Sequence, residues 1–152
     1  MVKESEKMMK IIEFQNEEFV KIALRDCPWG AGKFLYDLIV KNQRSILGWN
    51  HIYTLVDNDS VLSFCTLAQR DCIEDDTLIP WIGFVFTMPE HRGKGFAKKL
   101  IMHCLNKAKE LGYKRVYLAT DHIGLYEKYG FQYFESRIDI YNEESRIYYY
   151  DL

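Results

Sequence analysis

Trp81-Ile82-Gly83-Phe84-Val85-Phe86-Thr87-Met88-Pro89-Glu90-His91-Arg92-Gly93-Lys94-Gly95-Phe96-Ala97-Lys98-Lys99 is the stretch on which the fold of this chain turns. From Leu78 to Thr87 the residues are almost all apolar, the pattern of a central strand covered on both faces. After Gly95 a helix begins at once. Ala97, Ile101, Cys104, Ala108 and Leu111 recur at helical spacing, lysines occupy the other positions, and Gly112 closes the element. A helix start carries unpaired backbone N–H groups and partial positive charge. Gly93 and Gly95 let the backbone approach an anion closely, and Arg92 and Lys94 add charge beside it. The stretch therefore reads as a pyrophosphate cradle. A Gly-rich turn with solvated basic side chains has the same composition, so on this stretch alone both readings stand.

Two other phosphate motifs are excluded. A P-loop needs G-x-x-x-x-G-K-[ST], which no segment supplies. The dinucleotide fingerprint needs a third glycine where Lys98 stands, and its glycines follow the strand more closely than Gly93 follows Thr87.

Working outward, Lys10 to Gln15 reads as a short strand, with Asn16 as the N-cap of a helix that stops before Pro28. Trp29-Gly30-Ala31-Gly32 reads as a loop, and Phe34 to Val40 as a second helix. His51 to Val56 and Val61 to Ala68 are strands joined by the turn residues Asp57-Asn58-Asp59-Ser60. Asp71 to Asp76 is an acidic loop. Past the long helix come a buried-type strand at Arg115 to Ala119, a short helix at Asp121 to Tyr129 capped by Gly130, and strands at Phe131 to Ile140 and Arg146 to Asp151. This order predicts a mixed α/β layer with a right-handed crossover in its second half.

The totals bound the function. A chain of 152 residues fits one domain, here taken as residues 1–152, and 48% apolar with 28% charged residues is globular composition. A net charge of −2 gives no basis for wholesale binding to nucleic acid or to an anionic membrane, so any anion site is local. Cys27, Cys65, Cys72 and Cys104 form no C-x-x-C pair and no histidine stands at metal-ligand spacing from them, so they read as reduced thiols and no metal is expected. Residues 1–7 lack the apolar core of a signal peptide and no apolar run is long enough to span a bilayer, which makes the cytoplasm the expected location.

With Arg92-Gly93-Lys94-Gly95-Phe96-Ala97 matching [RQ]-x-x-G-x-[GA] at every fixed position, and Tyr126-Glu127-Lys128-Tyr129-Gly130-Phe131 of the Y-[EQ]-K-x-G-F type, the chain resembles the GNAT superfamily of N-acetyltransferases. The resemblance covers residues 78 to 135 well and rests on element order upstream. It implies an α/β (α+β layered) fold: a mixed, mostly antiparallel central sheet of six to seven strands with helices on both faces. It implies acetyl-CoA as acyl donor and a small-molecule amine or protein amino group as acceptor. Amides from Arg92 to Ala97 would hold the pyrophosphate, and the strand edge at Val85, Phe86 and Thr87 would pair with the pantetheine arm before splaying from the strand at Val116 to Ala119. Lys94 and Lys98 would assist with the CoA phosphates.

The same resemblance makes Tyr126 the general acid that protonates the leaving sulfur, with Tyr129 the local alternative. A phenol is protonated at neutral pH and carries its proton on a rigid ring. The base is left among Glu74, Asp75 and Asp76, with Asp76, nearest the strand, taken as the candidate. Many members carry an Asn before the motif tyrosine. Here Asp121-His122 stands in that region, Asp121 either in place of the Asn or as a helix cap, and His122 either as a base or relay or as a surface histidine. Trp29 to Gly32 and Trp49 fall where relatives line the acceptor pocket. The competing readings are a non-catalytic acyl-CoA-binding module and transfer of a longer acyl group or to oxygen. The tyrosine-rich end, Tyr148-Tyr149-Tyr150, suggests a strand edge for a homodimer.

Overall fold

The computed structural model describes residues 8–152. The signal-peptide reading of residues 1–7 lies outside the described residues. Among those described, no helix is long and apolar enough to cross a membrane.

In the described residues seven strands form one sheet: β1 Met9–Glu13, β2 Asn50–Asp57, β3 Ser60–Ala68, β4 Trp81–Thr87, β5 Arg115–Thr120, β6 Gln132–Ile138 and β7 Glu144–Asp151, in the spatial order β1-β2-β3-β4-β5-β7-β6. Among the described strands only β4 and β5 pair in parallel, and the helix α3 (Phe96–Glu110) makes the crossover between them; every other pair is antiparallel. Helices α1 (Glu18–Arg25) and α2 (Gly30–Val40) precede β2. The mixed, mostly antiparallel sheet with covered faces expected from the sequence is therefore the one observed.

Alternation along the strands divides the core in two. Tyr53, Leu55, Leu62, Cys65 and Leu67 pack with Leu100, Ile101, Cys104 and Ala108 of α3. Ile52, Val56, Phe64 and Ala68 face the other way onto Val20 and Leu24 of α1 and Leu35 and Leu38 of α2. Burial on this scale, about 1.5–3 kcal/mol for each large apolar side chain, is what fixes the strand register.

Four local expectations need correction. Asn16 sits at φ +81 outside the helix, and Glu17 takes the cap position without a side-chain cap bond. Gly30 and Gly32 belong to α2, not to a loop; a Cβ on Gly32 would lie 2.7 Å from Cys27 Sγ, so this glycine serves close packing. Asp121 to Tyr129 contains a single 3₁₀ turn at Glu127–Tyr129, because Gly124 at φ +90 interrupts any longer helix. The tyrosines of β7 offer no free edge, since β7 lies between β5 and β6.

Candidate functional site

β4 opens the sheet in two ways. Its pairing with β5 is confined to Trp81↔Tyr117 and Ile82↔Leu118, and beyond Ile82 the two strands part. On the β3 side, Thr66 pairs with Gly83 and Phe64 with Phe86, so Phe84 and Val85 together oppose Cys65. This is a β-bulge, with Phe84 at φ +52. The extra residue reverses the faces: Ile82 joins the α3 core while Phe84, two residues on, packs against the opposite one. The sequence reading took β4 as a regular strand and missed the bulge.

Where β4 and β5 part lies a cavity of about 1100 Å³. Gly83 to Thr87 form one wall, and Leu118 to His122 with Tyr126 and Tyr129 form the facing one. Trp29 closes another side, stacked on Phe86 at 5.5 Å between centroids. Asp71, Cys72 and the turn around Tyr141 and Glu143 complete it.

At one end of the cavity the chain enters α3. Gly95 is the N-cap at φ +77, no side chain caps the helix, and the first intrahelical bond is Lys99 N–H to Gly95 O at 3.2 Å. Gly93 lies at φ +78, and a Cβ on either glycine would point into open space. Both glycines are thus required by backbone angle and leave their amides uncovered, the arrangement that suits an anion. Arg92 lines the cavity, donates from Nε to Thr87 O at 3.1 Å, and lies over the Phe86 ring.

Of the residues named from sequence, Val85, Phe86, Thr87, Arg92, Ala97 and Tyr126 line this cavity. Gly93, Lys94 and Gly95 form the turn beside it. The Phe96 ring is buried in the α3 core instead. Lys98 is exposed and borders a separate shallow groove with Ile11 and Met102, away from the cavity. Trp49 packs on Tyr113 and His51 and is not part of the lining, whereas Trp29 is.

Tyr126 is 7% exposed, edge-on to both Tyr129 and Phe131. Burial pushes its phenol up to about 12, with Tyr129 adding to the effect, so the group stays protonated throughout the neutral range.

The acids divide sharply. Asp76 is an exposed partner of Arg70 (3.0 Å) and does not line the cavity. Asp75 is held down to about 2 by hydrogen bonds from Thr77 and then by Arg137, which reaches it at 2.7 Å. Neither is placed to serve a reaction in the cleft. Asp71, at the start of the same acidic loop, does line the cavity. Its Oδ1 is buried without a hydrogen-bond partner, and burial raises its carboxyl to about 6 against the opposing influence of the Cys72 N–H and thiol. The sequence analysis includes Asp71 in the acidic loop without singling it out, and no local signal in the sequence separates it from the other acids there.

The family model described as "Acetyltransferase (GNAT) family" matches residues 11–131. The chain belongs to the GNAT acetyltransferase family. Among curated relatives, an uncharacterized N-acetyltransferase of Escherichia coli K12, YjgM, is 41% identical over 56 residues, a match that spans about a third of each protein (34% and 34%). The GNAT fold is shared with solved structures of low identity. An acetyltransferase from Streptococcus agalactiae superposes with a TM-score of 0.69 at 18% identity, over 96% of this chain and 99% of that one. A GNAT acetyltransferase from Elizabethkingia anophelis with acetyl-CoA bound gives 0.67 at 17% identity, over 95% and 99%.

Proposed function

We propose that this GNAT protein is an N-acetyltransferase that moves the acetyl group of acetyl-CoA to a primary amine by direct attack. The observation that carries the reading is the meeting of two features at one cavity: a strand edge released where β4 leaves β5, and an uncapped helix start preceded by two left-handed glycines. A pyrophosphate needs the second and an extended amide-bearing arm needs the first. Arg92 and the amides from Gly93 to Ala97 would bind the pyrophosphate, Lys94 would supply charge from the turn, and the backbone of Val85 to Thr87 would pair with the arm.

Tyr126 would act as general acid. Its phenol stands in the wall facing β4, and its raised pKa keeps the proton available for a departing thiolate at neutral pH. The acceptor is a small amine or a protein amino group. The reading places the protein in the cytoplasm, as one domain, where its four free cysteines stay reduced.

The test is thermal stability with acetyl-CoA, with ATP and NAD as controls, followed by CoA release with an amine panel. Ligand at about 100 times its dissociation constant adds about 2.7 kcal/mol. A rise specific to acetyl-CoA together with amine-dependent CoA release supports the enzyme. A specific rise with no release from any amine would favour a non-catalytic acyl-CoA-binding module.

A further inference from the structure

Asp71 is held in place from both sides. Arg70 N–H bonds Leu47 O at 3.0 Å, and Ile140 N–H bonds Cys72 O at 2.9 Å, so the segment is tied to the loop before β2 and to the β6–β7 connection. Across from it β4 presents Gly83, where a Cβ would collide with Asp71 Oδ1. The carboxylate can therefore lie against the β4 backbone, and its Oδ1 has no hydrogen-bond partner. A buried acceptor left this way bears its full desolvation penalty, and more so when charged.

Among the described residues no nearby cation relieves it. Arg70 is turned to Asp76, and Arg137 is engaged by Asp75 and Glu135. Arg92 is bonded to Thr87 O. The other groups around this part of the cavity are Cys72 on the same loop, Tyr141, Glu143 and Glu144 from the β6–β7 connection with Asp139 behind them, and Asp121 and His122 at the end of β5. β4 contributes no charge here. Apart from His122 none of these is basic, so a positive charge entering beside Asp71 meets carboxylates with no lysine or arginine among them.

Resting on the acetyltransferase reading, we propose that Asp71 receives the acceptor: its carboxylate, which lines the cavity, accepts a hydrogen bond from the acceptor's ammonium group and takes the proton that must leave before the nitrogen can attack. The ammonium passes one proton to the carboxylate and becomes an amine. Its lone pair forms the C–N bond to the acetyl carbonyl carbon, the C–S bond breaks, and the sulfur takes the Tyr126 proton. The second nitrogen proton restores Tyr126, and Asp71 gives its own to solvent, so the exchange releases one proton overall.

The carboxyl is followed directly in protein labelled with ¹³C at aspartate carboxyls, with Asp71→Asn identifying the signal. Butylamine, spermidine and a lysine-containing tripeptide are added in turn with CoA present. The expected result is titration near 6 in the free protein, shifted downward at least tenfold in acid constant by an amine that binds. In turnover, Asp71→Asn keeps the acetyl-CoA melting shift, and its kcat/KM for butylamine falls about 100-fold or more. The deficit is much smaller for trifluoroethylamine, which is already neutral at pH 7. An Asp71 titration indifferent to every amine, or equal losses for both amines, would overturn the assignment. Absence of an acetyl-CoA melting shift in the unsubstituted protein would instead remove the acetyltransferase reading, while the titration still decides what Asp71 binds.

Discussion

Gly83 on β4 and Asp71 near the start of the β3–β4 loop share one space: the carboxylate Oδ1 occupies the volume that a side chain at residue 83 would fill. Gly83→Ala must therefore push the carboxylate outward or strain the strand. Overpacking of this kind costs about 1–3 kcal/mol. Chemical denaturation should show that loss, and the displaced Asp71 carboxyl should titrate closer to its ordinary value because it regains water.

Asp71 should also shape the pH dependence of stability. Its folded carboxyl lies near 6 against an ordinary 3.8, so between those values the folded chain holds more protons than the unfolded one. The contribution of this group is most favourable below about pH 4 and is lost as pH rises through about 6. At pH 7.5 Asp71→Asn should be more stable than the parent, by on the order of 2–3 kcal/mol at most. Melting at pH 4 and 7.5 checks this; an equal difference at both values would contradict it.

Asp76→Asn is the contrasting substitution. Asp76 is exposed and paired with an exposed Arg70, an arrangement worth about 0–1 kcal/mol. Its replacement should leave kcat/KM for amines within about twofold, the range expected of a surface change worth under about 0.5 kcal/mol.

Gly95→Val tests the cradle. At φ +77 a β-branched residue is strained, and its side chain would stand in the open space above the turn. The expected outcome is a loss of about 1–2 kcal/mol in the free protein. The melting shift with acetyl-CoA should also vanish, while a Lys98→Ala variant keeps most of it, since Lys98 points away from the cavity.

Tyr126→Phe should lower kcat by about 10²–10⁴ with the acetyl-CoA melting shift intact, the usual loss for a general acid. Stopped-flow measurement of a single turnover separates this from slow product release. An unchanged single-turnover rate would remove Tyr126 from the chemistry.

Much of the site was legible because its signals are local. Glycines at 93 and 95 are demanded by their own backbone angles, and the apolar period of α3 follows from the face it buries, so neither needs knowledge of the rest of the chain. Tyr126 was legible only through the family motif around it, because a buried tyrosine on a short turn has no chemical mark of its own. The direction of Lys98 was not legible, since a residue at the first turn of a helix can project toward the ligand or along the outer face, and only the docking of α3 on the sheet decides.

By itself the sequence determined the strand–turn–helix unit from Trp81 to Glu110, the hairpin at Asn58 and the order of the elements, all set by interactions between residues near in the chain. The tertiary structure alone decided where β4 bulges, how far it stays paired with β5, and which acid of the 71–76 run enters the cleft. Those outcomes depend on partners far apart in sequence: Cys65 opposite Phe84 and Val85, Gly83 opposite Asp71, and Ile140 bonded to Cys72. An acidic loop reads the same whichever carboxylate turns inward. Burial and the lack of a cation, which exist only once the sheet and its loops have closed around Asp71, distinguish it from Asp76.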